Sequence, residues 1–382
     1  MPYLVPDYVR EPLYVVVPYT NQWRWKSREK HTARAVKHFM DAGAVVVLIE
    51  VAFNRRALAF ENSGLDGTPA NCGILGSDHR FRHKYIGLRS PTELWLKENI
   101  INLAVAQLPY DWQQVAWLDS DVVFIRPNWV GETIHKLQHY SFLQMFTQAR
   151  DLGPNYEMLP EDYPHAGGVS FVHHHLNKGF PSPRADRHFE VTGTVDQILQ
   201  GEATAISIKI STDPPPQYYN GLPRVWPGIA WAATRKAWDD VGGLIDFAVW
   251  GGADWHMAHA LIEQTVGMMR ADLSESYKKK VMEWYHRCRT HIRQNVGCME
   301  GAIFHNFHGR KSQRGYNKKH ALLAEVGFDP DRHLKRDYQG LWQLHDDRSE
   351  VYPKIRDLMR LIAREREEDT TDTRLDLFSQ GH

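Results

Sequence analysis

The sequence predicts an α/β protein on a mostly parallel central sheet, and two stretches carry the prediction. Leu13 to Val17 is a β-branched run, Thr32 to Ala42 reads as a helix stopped by Gly43, and Ala44 to Val51 is a second apolar run. Strand, helix and strand within about 40 residues open a parallel sheet with right-handed crossovers. Further on, the apolar Val115-Ala116-Trp117-Leu118 leads into Asp119-Ser120-Asp121, and Val122-Val123-Phe124 follows. A buried strand that ends on two acids spaced one apart lifts both carboxylates to the rim where open α/β sheets bind ligands. Residues i and i+2 point the same way, so both acids can address one hard cation.

The bulk numbers fit a large folded chain. Its 382 residues are 42% hydrophobic and 12% aromatic, enough for one α/β domain over 1–325 and a helical extension over 326–382. Within the domain, about 12–150 reads as the half nearer the acid pair and about 167–310 as a second half. Lys+Arg and Asp+Glu both total 46, so no global charge recommends a polyanion. Locally, Arg270 to His320 holds twelve Lys/Arg against four acids; this excess reads either as a phosphate-holding stretch or as a solvated helix face. Three cysteines are too few and scattered for a disulfide framework or zinc cage. The N-terminus lacks the order of a signal peptide, and the longest apolar run is too short to span a membrane. The expectation is a soluble, cytoplasmic protein.

Taken in order, Leu13–Val17 opens into Pro18-Tyr19-Thr20-Asn21, with no Gly-x-Gly-x-x-Gly, which removes the main support for dinucleotide binding. Phe53 to Leu88 reads as loop. Ser90-Pro91-Thr92-Glu93 carries a capping box and announces a helix to about Gln107. On it Lys97, Glu98 and Asn102 lie on neighbouring turns, aimed either at the cleft or at solvent as an ion pair. Trp129 to Gln138 reads as helix and Ser141 to Phe146 as strand. Arg150 to Ala166, with three prolines, reads as a lid loop. Gly167 to Val172 reads as a strand entry, and His173-His174-His175 as a structural or solvent-facing run, since strand neighbours face opposite ways. Trp226 to Ala232 reads as strand, and Arg235 to Val241 as a helix stopped by Gly242-Gly243. Trp250-Gly251-Gly252-Ala253-Asp254 then leads into a helix to about Ile262, with Asp254 either a functional acid or an ordinary cap. His305 and His308 precede Gly309, Arg310 and Lys311. Ile355, Leu358, Met359 and Ile362 mark a docking amphipathic helix.

These pieces together resemble the metal-dependent glycosyltransferases of the GT-A fold, an αβα sandwich that binds nucleotide sugars and carries Asp-x-Asp at a strand end. The resemblance covers about residues 12–320. Gly228-Ile229-Ala230-Trp231-Ala232, Gly242-Gly243 and Trp250-Gly251-Gly252-Ala253-Asp254 are similar to the acceptor-side segment of galactosyltransferases and polypeptide N-acetylgalactosaminyltransferases, which carry Trp-Gly-Gly-Glu-Asp. Ala253 stands where those families have Glu, so one acidic acceptor contact is missing. His308-Gly309 with Lys311 and Arg314 is similar to a C-terminal segment whose histidine completes metal coordination, with His305 competing for that place. The order Trp-x-Lys-Glu, Asp-Ser-Asp and His-x-x-His-Gly also resembles phage-encoded glycosyltransferases, which would place the chain in a host cytoplasm.

The resemblance implies a nucleotide diphosphate sugar donor, with a UDP-sugar favoured, and Mn²⁺ or Mg²⁺ held by Asp121 and His308. It implies Asp119 on metal or ribose, and Lys97, Asn102, Lys311 and Arg314 on the nucleotide. An imidazole ligand favours Mn²⁺ mildly. Asp254 would take the acceptor's proton in an inverting attack, and Trp231, Trp250, Gly251 and Gly252 would meet the acceptor. That acceptor is a glycan hydroxyl or a hydroxymethylated pyrimidine in DNA extruded from the duplex. The competing readings are a nucleotidyltransferase, which wants a glycine-rich basic loop after the first strand, and a carbohydrate-binding protein without turnover.

Overall fold

The structure, a computed structural model, describes residues 11–70, 79–155, 167–178, 189–191, 206–208, 225–265, 268–309, 316–345, 351–365 and 369. The predicted opening unit is present as β1 (Leu13–Thr20), α1 (Lys26–Asp41) and β2 (Val45–Phe53). Both strands are apolar along most of their length because both faces are covered, with Glu50 a buried exception. Tyr14, Val16, Val45, Val47 and Ile49 enter one core, while Leu13, Val15, Val17, Val46 and Leu48 enter the other.

The next stretch differs from expectation. Within the predicted loop lies β3 (Lys84–Ser90), an edge strand paired to β2 along its length. Its sequence alternates weakly because an edge strand needs little apolar content. The capping box does not form. Ser90 ends β3, its Oγ donating to the Thr92 carbonyl (2.8 Å) and accepting from the Thr92 amide (3.1 Å). Buried Glu93 turns instead to Arg360 (2.7 Å) and Arg56 (3.8 Å). The helix, α2 (Lys97–Val105), starts later, behind Leu96 and without a side-chain cap.

β4 (Gln114–Leu118) and β5 (Val122–Phe124) flank the acid pair, followed by α3 (Trp129–Lys136), β6 (Phe142–Gln144), β7 (Gln148–Asp151) and β8 (Gly167–Ser170). Arg150 and Asp151 are therefore strand residues, and 156–166 of the expected lid lies outside the described residues. Chain direction changes after Ser170, and α4 (Phe171–Lys178) puts the three histidines on a helix rather than beyond a strand, with His174 buried. Short strands β9 (Phe189–Val191) and β10 (Ile206–Ile208) pair with each other. Then come β11 (Val225–Trp226), β12 (Ala230–Thr234), α5 (Arg235–Val241), α6 (Ala253–Leu261) and α7 (Glu275–Arg287), which runs on into a π-helical turn. The chain closes with β13 (Val296–Cys298), β14 (Ala302–His305), α8 (Tyr316–Glu325), α9 (Pro330–His333), β15 (Leu334–Arg336), β16 (Trp342–Leu344) and α10 (Val351–Glu365).

The large sheet runs β13-β6-β12-β4-β1-β2-β3. β3, β2, β1 and β4 are parallel; β12 is antiparallel to both β4 and β6, and β13 is parallel to β6. The fold is thus mixed α/β with a mainly parallel central sheet, as predicted. The chain leaves β1 for β2 on one side and returns to β4 on the other, so a crevice opens at the carboxyl ends of β1 and β4. A second sheet, β11-β8-β7-β14-β5, stands beside it. α1 and α3 contribute Phe39, Trp129 and Ile134 to one core, and α2, α5, α6 and α7 contribute to the other. Leu323, Phe328, Leu344, Ile355 and Met359 join that second core, so the C-terminal extension packs on the body. No helix among the described residues is long and apolar enough to cross a membrane.

Candidate functional site

The acid pair sits at the crevice, and the second sheet brings it company. β5 starts one residue after Asp121 and pairs antiparallel with β14, placing His305 opposite Val122. β14 pairs in turn with β7, placing Asp151 opposite His305. The amide of Asn306 donates to the Asp121 carbonyl (2.8 Å), which anchors the loop after β14 beside the acid. From that loop His308 turns back so that its ring meets His305 edge-on, centroids 4.9 Å apart. His31 of α1 bonds the Phe307 carbonyl (2.9 Å) and holds the same loop from the other side.

Asp121, His305 and His308 are thereby gathered with ligand atoms within 4.8 Å of one another. His305 Nε2 lies 3.6 Å from Asp121 Oδ1, His308 Nε2 lies 3.5 Å from Oδ2, and the two Nε2 atoms are 3.2 Å apart. Asp121 Oδ1 is buried with no hydrogen-bond partner among the described residues. His305 Nδ1 sits 2.7 Å from Asp151 Oδ1. A carboxylate on Nδ1 keeps the proton there and turns the Nε2 lone pair inward. Two imidazole nitrogens and an orphaned carboxylate oxygen facing one point suit a divalent cation of the borderline class. His305 and His308 both belong to the cluster, so the structure does not make them alternatives. Asp151 has no local signal: its role comes from strand pairing, inside a stretch that reads as loop.

Asp119 looks the other way. Its amide donates to the Ile229 carbonyl (2.9 Å), and its carboxylate forms an ion pair with Lys97 of α2. Burial and the charge of Asp121 push the Asp119 carboxyl up, against the pull of Lys97. Burial opposes charge on Lys97 too, yet Asp119, Glu98 and Asp254 hold its ammonium above the ordinary lysine range. Glu98, the next residue, is buried; burial pushes its carboxyl up to about 7, Lys97 pulls it back, and Asp254 adds to the rise.

Asp254 joins this group from α6. The cap of α6 is Gly252 at φ 93°, a backbone that only glycine takes without strain. Asp254 Oδ1 accepts from the next amide, Trp255 N (2.9 Å), and Oδ2 lies against Gly228, where a Cβ would overlap it. It is not an ordinary cap. Ile229 beside it holds φ 81°, a strained conformation for a β-branched residue and one that collects at functional sites. Lys97, Glu98, Gly228, Trp231 and Asp254 line one cavity.

Other expected contacts fall elsewhere. Asn102 spends its amide on the α5–α6 loop: Nδ2 donates to the Leu244 carbonyl (3.0 Å), and Oδ1 accepts from the Leu244 amide (2.9 Å). Trp250 is 3% exposed, its ring against Tyr277 and Phe328, so it is core. Trp231 donates to the Pro227 carbonyl (2.8 Å) and forms cavity wall. The aromatic open to solvent beside Asp254 is Trp255, 38% exposed. Gly251 faces the ring of Trp95. Lys311 and Arg314 lie outside the described residues. Within the basic stretch, Arg270 pairs with Asp272, Lys278 with Glu275 and Lys280 with Asp331, while Arg287 donates to the Val241 carbonyl.

No protein-family model matches the chain, and no curated protein is significantly similar to it. Among solved structures it is similar to one described as "Crystal structure of S. aureus TarS 1-349". The match has 15% identity and a TM-score of 0.26, and covers 74% of this chain and 73% of that one. A likeness this loose says nothing of what the chain does.

Proposed function

We propose that this protein is a metal-assisted glycosyltransferase that moves a sugar from a nucleotide diphosphate sugar, a UDP-sugar by the sequence resemblance, to an acceptor hydroxyl. The observation that carries the reading is the Asp121–His305–His308 cluster at the crevice between β1 and β4, with Asp254 close by across Lys97. Asp121, His305 and His308 would hold Mn²⁺ or Mg²⁺, whose chemistry when bound is to neutralise the diphosphate as it leaves. Asp151 keeps His305 in the tautomer that can bind. Asp119, held by Lys97 on the side away from the cluster, is left for the ribose. Asp254, which lines the cavity with Oδ2 against Gly228, takes the acceptor's proton, which suits inversion at the anomeric carbon. The acceptor is a glycan hydroxyl or a hydroxymethylated pyrimidine in DNA; of the twelve basic residues between Arg270 and His320, Arg270, Lys278 and Lys280 are held in ion pairs.

The test is a panel of nucleotide sugars with and without Mn²⁺, read by thermal shift and donor hydrolysis. A true donor raises the melting temperature only with metal present. Asp121→Ala should cut turnover by about 10²–10³ and abolish the metal-dependent shift. Asp254→Asn should cut transfer by about 10²–10⁴ while leaving that shift in place. Turnover by Asp121→Ala at the parental rate in chelator would sink the reading.

A further inference from the structure

The cavity under Asp254 holds a second carboxyl that the mechanism above leaves idle. Glu98 is 5% exposed, in the first turn of α2, and shares that cavity with Asp254 and Lys97. Much of the remaining wall is apolar, with Trp117, Trp231, Met257 and Trp284. About 20 Å³ of free space is left, the room one water needs. Among the described residues no side chain donates a hydrogen bond to Glu98; it leans on its own backbone amide.

A carboxylate buried this way is costly unless it is paired. Among the described residues the cation acting on it is Lys97, already engaged by Asp119. An ionised Glu98 would have to share Lys97 with Asp119 and Asp254, against tryptophan walls. Two carboxyls in one low-dielectric space settle this by keeping one proton between them. Glu98, the more buried and without a side-chain partner, is the one that keeps it. We propose that Glu98 and Asp254 form a carboxyl pair across this cavity in which Glu98 keeps its proton, so that no second buried charge stands beside Asp254 when it meets an incoming hydroxyl.

The role given to Asp254 rests on the transferase reading; the pair itself does not. In transfer, the acceptor O–H bond breaks as its oxygen bonds the anomeric carbon. The proton passes to Asp254, and the electrons of the old C–O bond leave with the diphosphate. Glu98 keeps its proton throughout. It is a positioning residue, acting through Asp254.

The groups facing Glu98 are Lys97 on its own helix, Asp254 on α6, Asp119 after β4 and the Tyr277 phenol on α7, itself bonded to His256 (2.9 Å). Burial, opposed by Lys97 and aided by Asp254, lifts the Glu98 carboxyl to about 7. A carboxyl raised in the folded state keeps a proton that the unfolded chain loses near pH 4.3, roughly its free value. Its contribution is therefore fully present below that value and is lost as pH rises through about 7.

Thermal melting from about pH 5 to 8 on wild type, Glu98→Gln, Asp254→Asn and the double variant tests this. Glutamine copies the neutral form, so the melting temperature of Glu98→Gln relative to wild type should climb with pH. That climb should shrink in the Asp254→Asn background. A flat difference, or one that Asp254→Asn leaves unchanged, overturns the proposal. Should Glu98→Gln not fold, infrared titration of wild type against Asp254→Asn decides it. The buried protonated-carboxyl band should vanish near neutrality in wild type and at lower pH in the variant; its absence at pH 5 overturns the pair. None of these readouts needs a sugar donor, so a protein inert toward nucleotide sugars would sink the transferase reading alone.

Discussion

Asp151 shows how one residue can tune a site without entering it. It touches His305 at Nδ1 and leaves Nε2 free to bind. Asp151→Asn should weaken Mn²⁺ binding by about 10–100-fold, as removal of such supporting carboxylates does; titration by electron paramagnetic resonance measures it, and unchanged affinity would release Asp151 from that role. Asp119 and Asp121 were legible in the sequence because strand, acids and strand are contiguous. Asp151 was not, because its partner lies 154 residues away and only the register of β7 on β14 joins them. Trp250 misled in the opposite sense. The resemblance puts it with Gly251 and Gly252 against the acceptor, and the indole is in fact core against Tyr277 and Phe328.

Among the elements, those whose signals are local came out as read. α5 has Thr234 as its cap, accepting from the Ala237 amide (3.2 Å), and ends at Gly242 with φ 75°. Thr234→Ala should cost about 1 kcal/mol, within the range for lost caps, measured by urea unfolding. A change well below that would mean that tertiary packing alone holds α5 in place. The Ser90-Pro91-Thr92-Glu93 box failed for a reason of the same kind with the opposite outcome. Two arginines distant in sequence bind Glu93, and an ion-paired buried carboxylate outweighs a cap worth about as much as a surface hydrogen bond. The histidine run shows the limit of periodicity: three residues cannot report whether the strand before them has already ended.

Across the whole molecule, the C-terminal helix is part of the body. Ile355, Met359 and Ile362 of α10 are buried, and Arg360 reaches Glu93 beside β3. Ile355→Ala should therefore destabilise the entire chain by about 2–5 kcal/mol in one cooperative transition; a separate early transition for α10 alone, seen by calorimetry, would show it to be an independent appendage. The amphipathic pattern of α10 was readable, but what it docks against was not, since its partners, α8 and Glu93 after β3, are set by tertiary packing. Within the sheet, the parallel core was readable from continuous apolar runs. The reversed insertion of β12 was not, because a short strand buried on both faces carries no mark of direction.

The pairing of β5 with β14 has a consequence for ion choice. Asp121 precedes the first residue of one strand and His305 ends the other, so the gap between them is set by the backbone ladder and not by the reach of flexible side chains. Widening that gap for a larger guest would mean parting two strands, with only His308, the ligand from the loop, able to give. Discrimination between Mn²⁺ and the bulkier Ca²⁺ would then be built into the hydrogen-bonded framework, and enlarging the hole would require re-registering a strand rather than exchanging a ligand.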